Sequence, residues 1–193
     1  MIRRASFAVG FVFIILLAGS SAIAADLQQP LQPLRLPALG SVQAVFAPWD
    51  DIETEVIDVI GSAKKQVLVQ AYLLTNKKIA TTLIAAHRRG IEVNVLLDAG
   101  QVEEVDSSVV QQLAAAGLPV WLETRYQNAH NKVMVVDAGT ADAAVITGSF
   151  NFTWTAQHKN AENVLIARGN PALAARYAQN WERHRQDAVP YKK

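Results

Sequence analysis

The chain has 193 residues, 51% of them apolar and 18% charged, with a formal net charge of +1 and no cysteine. That length suffices for one domain with a substantial core. The missing cysteines exclude a disulfide framework, Cys-ligated zinc and thiol catalysis, and the near-neutral balance excludes a uniformly basic surface that grips phosphates non-specifically.

Residues 1–24 read as a signal peptide: Arg3 and Arg4, an apolar run from Phe7 to Ala18, then small residues at Ala22 and Ala24. The uncharged stretch from Ala5 to Ala25 is also long enough for an uncleaved membrane anchor. Gly19-Ser20-Ser21 and the small residues after it favour cleavage after Ala24, and with it a periplasmic or secreted protein. Cleavage removes two arginines and no acid, leaving 16 basic against 17 acidic side chains. Any grip on nucleic acid must therefore be local. The pairs Lys64-Lys65, Lys77-Lys78 and Arg88-Arg89 are candidates, with plain solvation as the alternative. Residues 25–41 carry Pro30, Pro33 and Pro37 and form an extended lead-in that cannot be helical.

From residue 42 the pattern alternates. Val42–Phe46 predicts a short strand, and Asp50 or Asp51 caps a helix to about Ser62, with Ile52, Val56, Val59 and Ile60 on one face. Gln66–Leu73 reads as a buried strand. A helix runs from Asn76 to the glycine stop at Gly90, Ile91–Leu97 is a second buried strand, Ser107–Ala116 a helix ending at Gly117, and Val120–Glu123 a strand. His130–Val136, Ala143–Thr147 and Glu162–Ala167 are three further strands with no helix of ordinary length between them. A helix from Ala172 to about Arg185 presents Leu173, Tyr177 and Trp181. The expected fold is α/β, a mixed β-sheet flanked by helices on both faces, largely parallel in its first half. The domain spans 42–185, with residues 186–193 as a tail.

The chemistry concentrates in the helix-poor half. A strand over His130–Val136 turns His130 and Lys132 to one face and Val133 and Val135 to the other. Ser149 and Asn151 repeat that spacing beyond the neighbouring strand. An imidazole, an ammonium, a hydroxyl and an amide can thus line one spot at adjacent strand ends. Asp137 lies an odd number of residues from Lys132, so its spacing argues for a turn or structural ion pair and against direct catalysis. His87, His158 and His184 lack a motif and read as surface residues. Trp154 is either core or a base-stacking platform.

His130-x-Lys132-x4-Asp137 followed by Gly148-Ser149-x-Asn151 resembles the HKD signature of the phospholipase D superfamily. The wider chain resembles its single-motif, Nuc-type bacterial endonucleases, through Gln70-Ala71-Tyr72, Val95-Leu96-Leu97-Asp98, Gly148–Thr153 and Lys159–Asn163. This likeness covers roughly residues 42–185. It implies a phospholipase D-like fold, a covalent phosphohistidine on His130 and no metal or other cofactor. Lys132, Ser149 and Asn151 would hold the phosphate oxygens, and Glu162 would hydrogen-bond the histidine and fix its tautomer. For Glu162 the alternative is a surface ion pair with Lys159. One motif per chain implies a two-fold homodimer with a composite active site. The implied partner is a nucleic-acid substrate, DNA or RNA, held by its backbone, with a phospholipid diester as the alternative. Ten residues separate Asp137 from Gly148, more than the family usually has, which predicts a longer hairpin.

Overall fold

Uninterrupted β-branched and aliphatic runs build the middle of this molecule, because strands covered on both faces need no polar side. In a computed structural model describing residues 33–105 and 108–192, these runs form one eight-stranded mixed sheet. The expected signal segment lies outside the described residues. In chain order the elements are β1 (Ser41–Ala47), α1 (Ile52–Gly61), β2 (Gln66–Ala71), α2 (Lys77–Arg88), β3 (Glu92–Asp98), α3 (Ala99–Glu104) and α4 (Ser108–Ala115). They continue with β4 (Val120–Glu123), β5 (Lys132–Val136), β6 (Ala144–Gly148), α5 (Trp154–His158), β7 (Glu162–Arg168), α6 (Pro171–Gln186) and β8 (Val189–Pro190).

The sheet order is β1-β7-β6-β5-β2-β3-β4-β8. Strands β2, β3 and β4 are parallel, joined by helical crossovers, whereas β5, β6 and β7 are antiparallel neighbours, with only the short α5 between β6 and β7. The first strand does not join the parallel set. It crosses to the far edge and pairs antiparallel with β7, from Ser41↔Arg168 to Ala47↔Glu162.

Alternation along the strands separates two apolar layers. Val67, Val69, Val95, Leu97, Met134 and Ile146 face α1, α2, α4 and α5 in the larger core. Leu68, Leu96, Val133, Val135 and Val145 face α6, which contributes Ala174 and Trp181. The buried Trp181 indole donates to the Val69 carbonyl at 2.8 Å, so its polar edge is not orphaned. Helix α6 does not reach the β1–β7 edge, where Val42, Phe46 and Leu165 remain exposed on one sheet face.

Caps fall where small polar residues precede the helices. Asp51 accepts from the Thr54 amide, and Asn76 accepts from the amides of Lys78 and Ile79. The expected tail is corrected. Val189 and Pro190 pair with β4, and the Tyr191 amide donates to the Val120 carbonyl at 2.9 Å. Tyr191 packs partly buried against the larger core, which the charged residues around it conceal in the sequence.

Candidate active site

The strand carrying the motif is shorter than its alternation suggests. It begins at Lys132, and His130 lies just before it, exposed, at the end of the loop leaving β4. That loop is held at several points. The Ala129 amide donates to the buried Asp98 carboxylate at 2.7 Å, and the Tyr72 amide donates to the Asn131 carbonyl at 2.7 Å. The latter bond extends the β2–β5 pairing one step past Ala71↔Lys132.

Tyr72 sits between the two motif residues. Its ring centroid is 4.4 Å from that of His130, and the Lys132 Nζ lies 4.8 Å from the Tyr72 ring centre while donating to the His130 carbonyl at 3.0 Å. Lys132 is only 7% exposed. Burial pushes its ammonium below the usual lysine range, and the Glu162 carboxylate opposes that shift. A desolvated cation on one face of an aromatic ring is suited to meeting an anion, since few competing waters need be displaced.

The second half of the site forms where β6 runs out. Phe150 and Phe152 are fully buried, so the alternating Ser149 and Asn151 turn the opposite way. The chain is held there by the Phe152 amide on the Leu73 carbonyl at 3.1 Å. Gly148 is required: a Cβ at this position would lie 2.2 Å from the Asn163 carbonyl oxygen of β7. The Ser149 hydroxyl donates to Glu162 at 2.5 Å and accepts the Asn163 amide at 3.1 Å, while the Asn160 side chain donates to the other Glu162 oxygen at 2.9 Å. The Asn151 Oδ1 is buried with no hydrogen-bond partner among the described residues. A buried acceptor left without a partner at the end of β6 marks a polar site built for something other than its own closure.

Several expectations change. Within the chain Glu162 bonds Ser149 and Asn160, and among the described residues it makes neither a hydrogen bond to His130 nor an ion pair with Lys159. It opens β7, two strands from β5, so it faces the β6 exit and the lysine. Asp137 is no ion-pair partner but a turn residue. It is 2% exposed, has φ of +50°, and accepts the amides of Lys64, Lys65 and Gln66 at 2.7–2.9 Å. His184 is not simply a surface residue: its Nδ1 lies 2.5 Å from the buried Glu123 carboxylate, which also accepts from Gln70. Tyr72 and Asp98 lie in stretches that carry the resemblance, which gives them no role, and the His184–Glu123 pair carries no sequence signature. Only the apolar strands placing Tyr72 and Asp98 at strand ends hint at them. The basic pairs are largely tied up locally, Lys64 on Asp142, Lys78 on Glu53 and Arg89 on the Gly61 carbonyl.

Comparison with known proteins gives the family and the fold. Residues 56–185 match the family described as cardiolipin synthase, PLD-like domain. The chain is 36% identical over 141 residues to a protein named phospholipase D from Rickettsia prowazekii, covering 73% of this chain and 66% of that one. It thus spans just under two thirds of that relative's length. A mitochondrial cardiolipin hydrolase of Chlamydomonas reinhardtii is 26% identical over 127 residues, covering 66% of this chain and 54% of the relative. Among solved structures, Nuc from Salmonella typhimurium, a phospholipase D family member, superposes with a TM-score of 0.72 at 30% identity, covering 79% of this chain and 99% of Nuc.

Proposed function

We propose a nuclease activity for this chain, which belongs to the phospholipase D superfamily. The coarser reading is a phosphodiesterase, and the arrangement supporting it is His130, Tyr72 and Lys132 in mutual contact, with Ser149 and Glu162 hydrogen-bonded and Glu162 acting on the lysine's charge. In this reading the His130 imidazole forms an N–P bond as the P–O bond to the leaving group breaks. Lys132 holds the non-bridging oxygens through the transition state, together with Ser149 and Asn151. A second imidazole, His130 of another copy, protonates the departing oxygen. Water then forms a new P–O bond, the N–P bond breaks, and the proton returns to the second imidazole. Splitting one displacement in two, with imidazole as the nucleophile in the first and water activated by the second imidazole in the other, needs no metal. A cation placed beside His130 would be repelled by Lys132.

Three considerations favour nucleic acid as the substrate and a homodimer as the unit. The sequence resembles the single-motif endonucleases. The chain covers nearly all of Nuc but only about two thirds of the Rickettsia phospholipase D. One motif histidine per chain leaves the second chemical role without a motif residue, and the exposed strip of Val42, Phe46 and Leu165 offers apolar surface for self-association. Phosphate contacts carry no base information, so cleavage is expected to be sequence-tolerant. The names of the curated relatives favour a second reading, hydrolysis of a lipid phosphodiester. The deciding experiment assays the exported form, after its N-terminal segment is removed, on plasmid DNA and phosphatidylcholine vesicles in parallel, with EDTA and with His130→Ala. Nicking of DNA that survives EDTA and vanishes in the variant is expected. Choline release without nicking would move the substrate to lipid, and undiminished turnover by the variant would remove His130 as nucleophile.

A further inference from the structure

Between Asn151 and Glu162 the chain makes one excursion, helix α5 and the turn after it, and this excursion carries an unusual surface. Trp154 is 54% exposed although Phe150 and Phe152, immediately before it, are fully buried. Its indole is fixed: the His158 ring meets it edge-on at 4.4 Å and 86°, and the Lys159 Nζ lies 5.9 Å from the ring centre. The base of the excursion is rigid. The Gln157 side chain donates to the Asp50 carbonyl at 2.9 Å and accepts the Glu53 amide at 3.1 Å, and Thr153 caps α5. The same bond ties in a second indole, Trp49, next to Asp50 and 83% exposed. Trp49 follows Ala47, which is paired directly with Glu162.

Distance to the chemistry follows from chain reach. Trp154 is three residues past Asn151 and Lys159 three residues before Glu162, so each Cα lies within about 11 Å of a site residue. That is a separation of one or two nucleotides. Two large aromatic faces left to solvent, each on a braced segment, carry no packing role that would explain them. Trp154 is met by the His158 ring and the Lys159 ammonium. An indole paired with an imidazole and an ammonium, and joined to the second indole through the polar Gln157–Asp50 hydrogen bond, is a poor membrane wedge, because interfacial insertion needs a contiguous apolar face. It suits a nucleobase, which needs one flat partner and a cation for the adjoining phosphate.

We propose that Trp154 and Lys159, with Trp49 on the same rim, form a stacking platform that holds an unpaired base beside the scissile phosphate, making single-stranded nucleic acid the preferred substrate. This rests on the nuclease reading and deepens it. In a duplex the base faces are buried in the stack, so the platform has nothing to receive. Single strands, loops and frayed ends present them freely.

The test compares kcat/KM on a single-stranded oligonucleotide, its blunt duplex, and bis(p-nitrophenyl) phosphate, a diester with no base. For the unaltered protein the single strand is expected to be cleaved at least tenfold more efficiently than the duplex. Trp154→Ala should lower the ratio of single-strand to small-diester efficiency roughly tenfold, chiefly through KM, a typical loss for one stacked base. Trp154→Phe should recover most of it and Trp154→Leu should not, which separates stacking from simple packing. Lys159→Gln should flatten the salt dependence of single-strand binding. Equal cleavage of single strand and duplex, or a ratio unmoved in Trp154→Ala, overturns the platform while leaving the nuclease reading intact. Hydrolysis of the small diester with no cleavage of either nucleic acid overturns the nuclease reading itself. Loss of activity on phosphatidylcholine vesicles in Trp154→Ala, with nucleic-acid cleavage unchanged, would reassign the indole to a lipid surface.

Discussion

Replacing Asp137 by Asn tests whether the third letter of the motif belongs to chemistry or to architecture. The Asp137 carboxylate accepts three main-chain amides, from Lys64 at 2.8 Å, Lys65 at 2.7 Å and Gln66 at 2.9 Å, and so fixes the turn entering β2. Lys65 and Gln66 share Oδ1, and Lys64 uses Oδ2. In the variant one oxygen can keep the shared pair, but as neutral bonds, and the new amino group then faces the Lys64 amide, donor against donor. Two weakened bonds and one lost bond at a partly buried position amount to about 2–4 kcal/mol. Asn tolerates the left-handed backbone at φ +50°, so little conformational strain is added, whereas Asp137→Ala adds about 1–2 kcal/mol more. For a domain of this size the Asn variant corresponds to a fall in Tm of roughly 5–15 °C. Urea unfolding should show a lower midpoint with an unchanged slope, and turnover measured well below the new Tm should stay within about tenfold of the unaltered protein. A variant with intact stability and a thousandfold loss of turnover would refute the reasoning and return Asp137 to the active site.

Lys132→Met should abolish turnover yet raise stability by about 1 kcal/mol near pH 7, since it removes a desolvated ammonium. Because folding lowers the Lys132 pKa, the unfolded chain binds more protons between that lowered value and 10.5. Stability should therefore rise with pH through this window in the unaltered protein and not in the variant, as chemical denaturation across the alkaline range would record. Burial opposes ionisation of Glu53, but hydrogen bonds from Lys78 and Asn76 prevail and hold its carboxyl below the usual range. The stability it contributes is complete above about pH 4.5 and lost as pH falls through the lowered value, so Glu53→Gln should flatten the acid limb of a Tm-versus-pH curve. Gly148→Ala should destabilise by about 3 kcal/mol or more and lower activity with it, because its Cβ meets main chain rather than a movable side chain; calorimetry reads the first effect and turnover the second.

Much of this architecture was legible in local pattern. Apolar runs punctuated by Asp51, Asn76 and Gly90 located the crossovers, and the alternation that set Val133 and Val135 apart from Lys132 agrees with their place in the smaller core. The spacing that paired Ser149 with Asn151 did not say what fills the alternate positions, which are the buried rings of Phe150 and Phe152. The remainder depends on long-range pairing that local pattern does not encode. Nothing in Ser41–Ala47 says that its partner is β7, more than a hundred residues away. The resemblance assigned Glu162 to the histidine, whereas within one chain strand order gives it Ser149 as a partner and brings its charge to bear on Lys132. His184 lacks a motif and so read as a surface residue, and only the fold brings the buried Glu123 to it. Trp154 could not be sorted between core and surface, because the packing of Phe150 and Phe152 decides which ring has room to be buried.

The proposed dimer has a quantitative signature that does not require seeing the interface. Each chain supplies one His130, and the chemistry asks for two imidazoles, one to attack phosphorus and one to protonate the leaving oxygen. Within a single chain an alternative acid is His158, held edge-on to Trp154 on the excursion that ends at Glu162. If the two His130 residues form one site, a mixed dimer of unaltered and His130→Ala chains has a nucleophile but no acid. Refolding the two chains together in equal amounts gives one quarter fully unaltered dimers by random assortment, so activity should fall to about one quarter of that from the unaltered chain alone. If each chain works alone with His158 as acid, half the sites survive and activity falls only to about one half. Sedimentation of the mixture at the assay concentration establishes that dimers are present. A value near one half would dissolve the composite site, and His158→Ala would then be expected to suppress turnover as severely as His130→Ala.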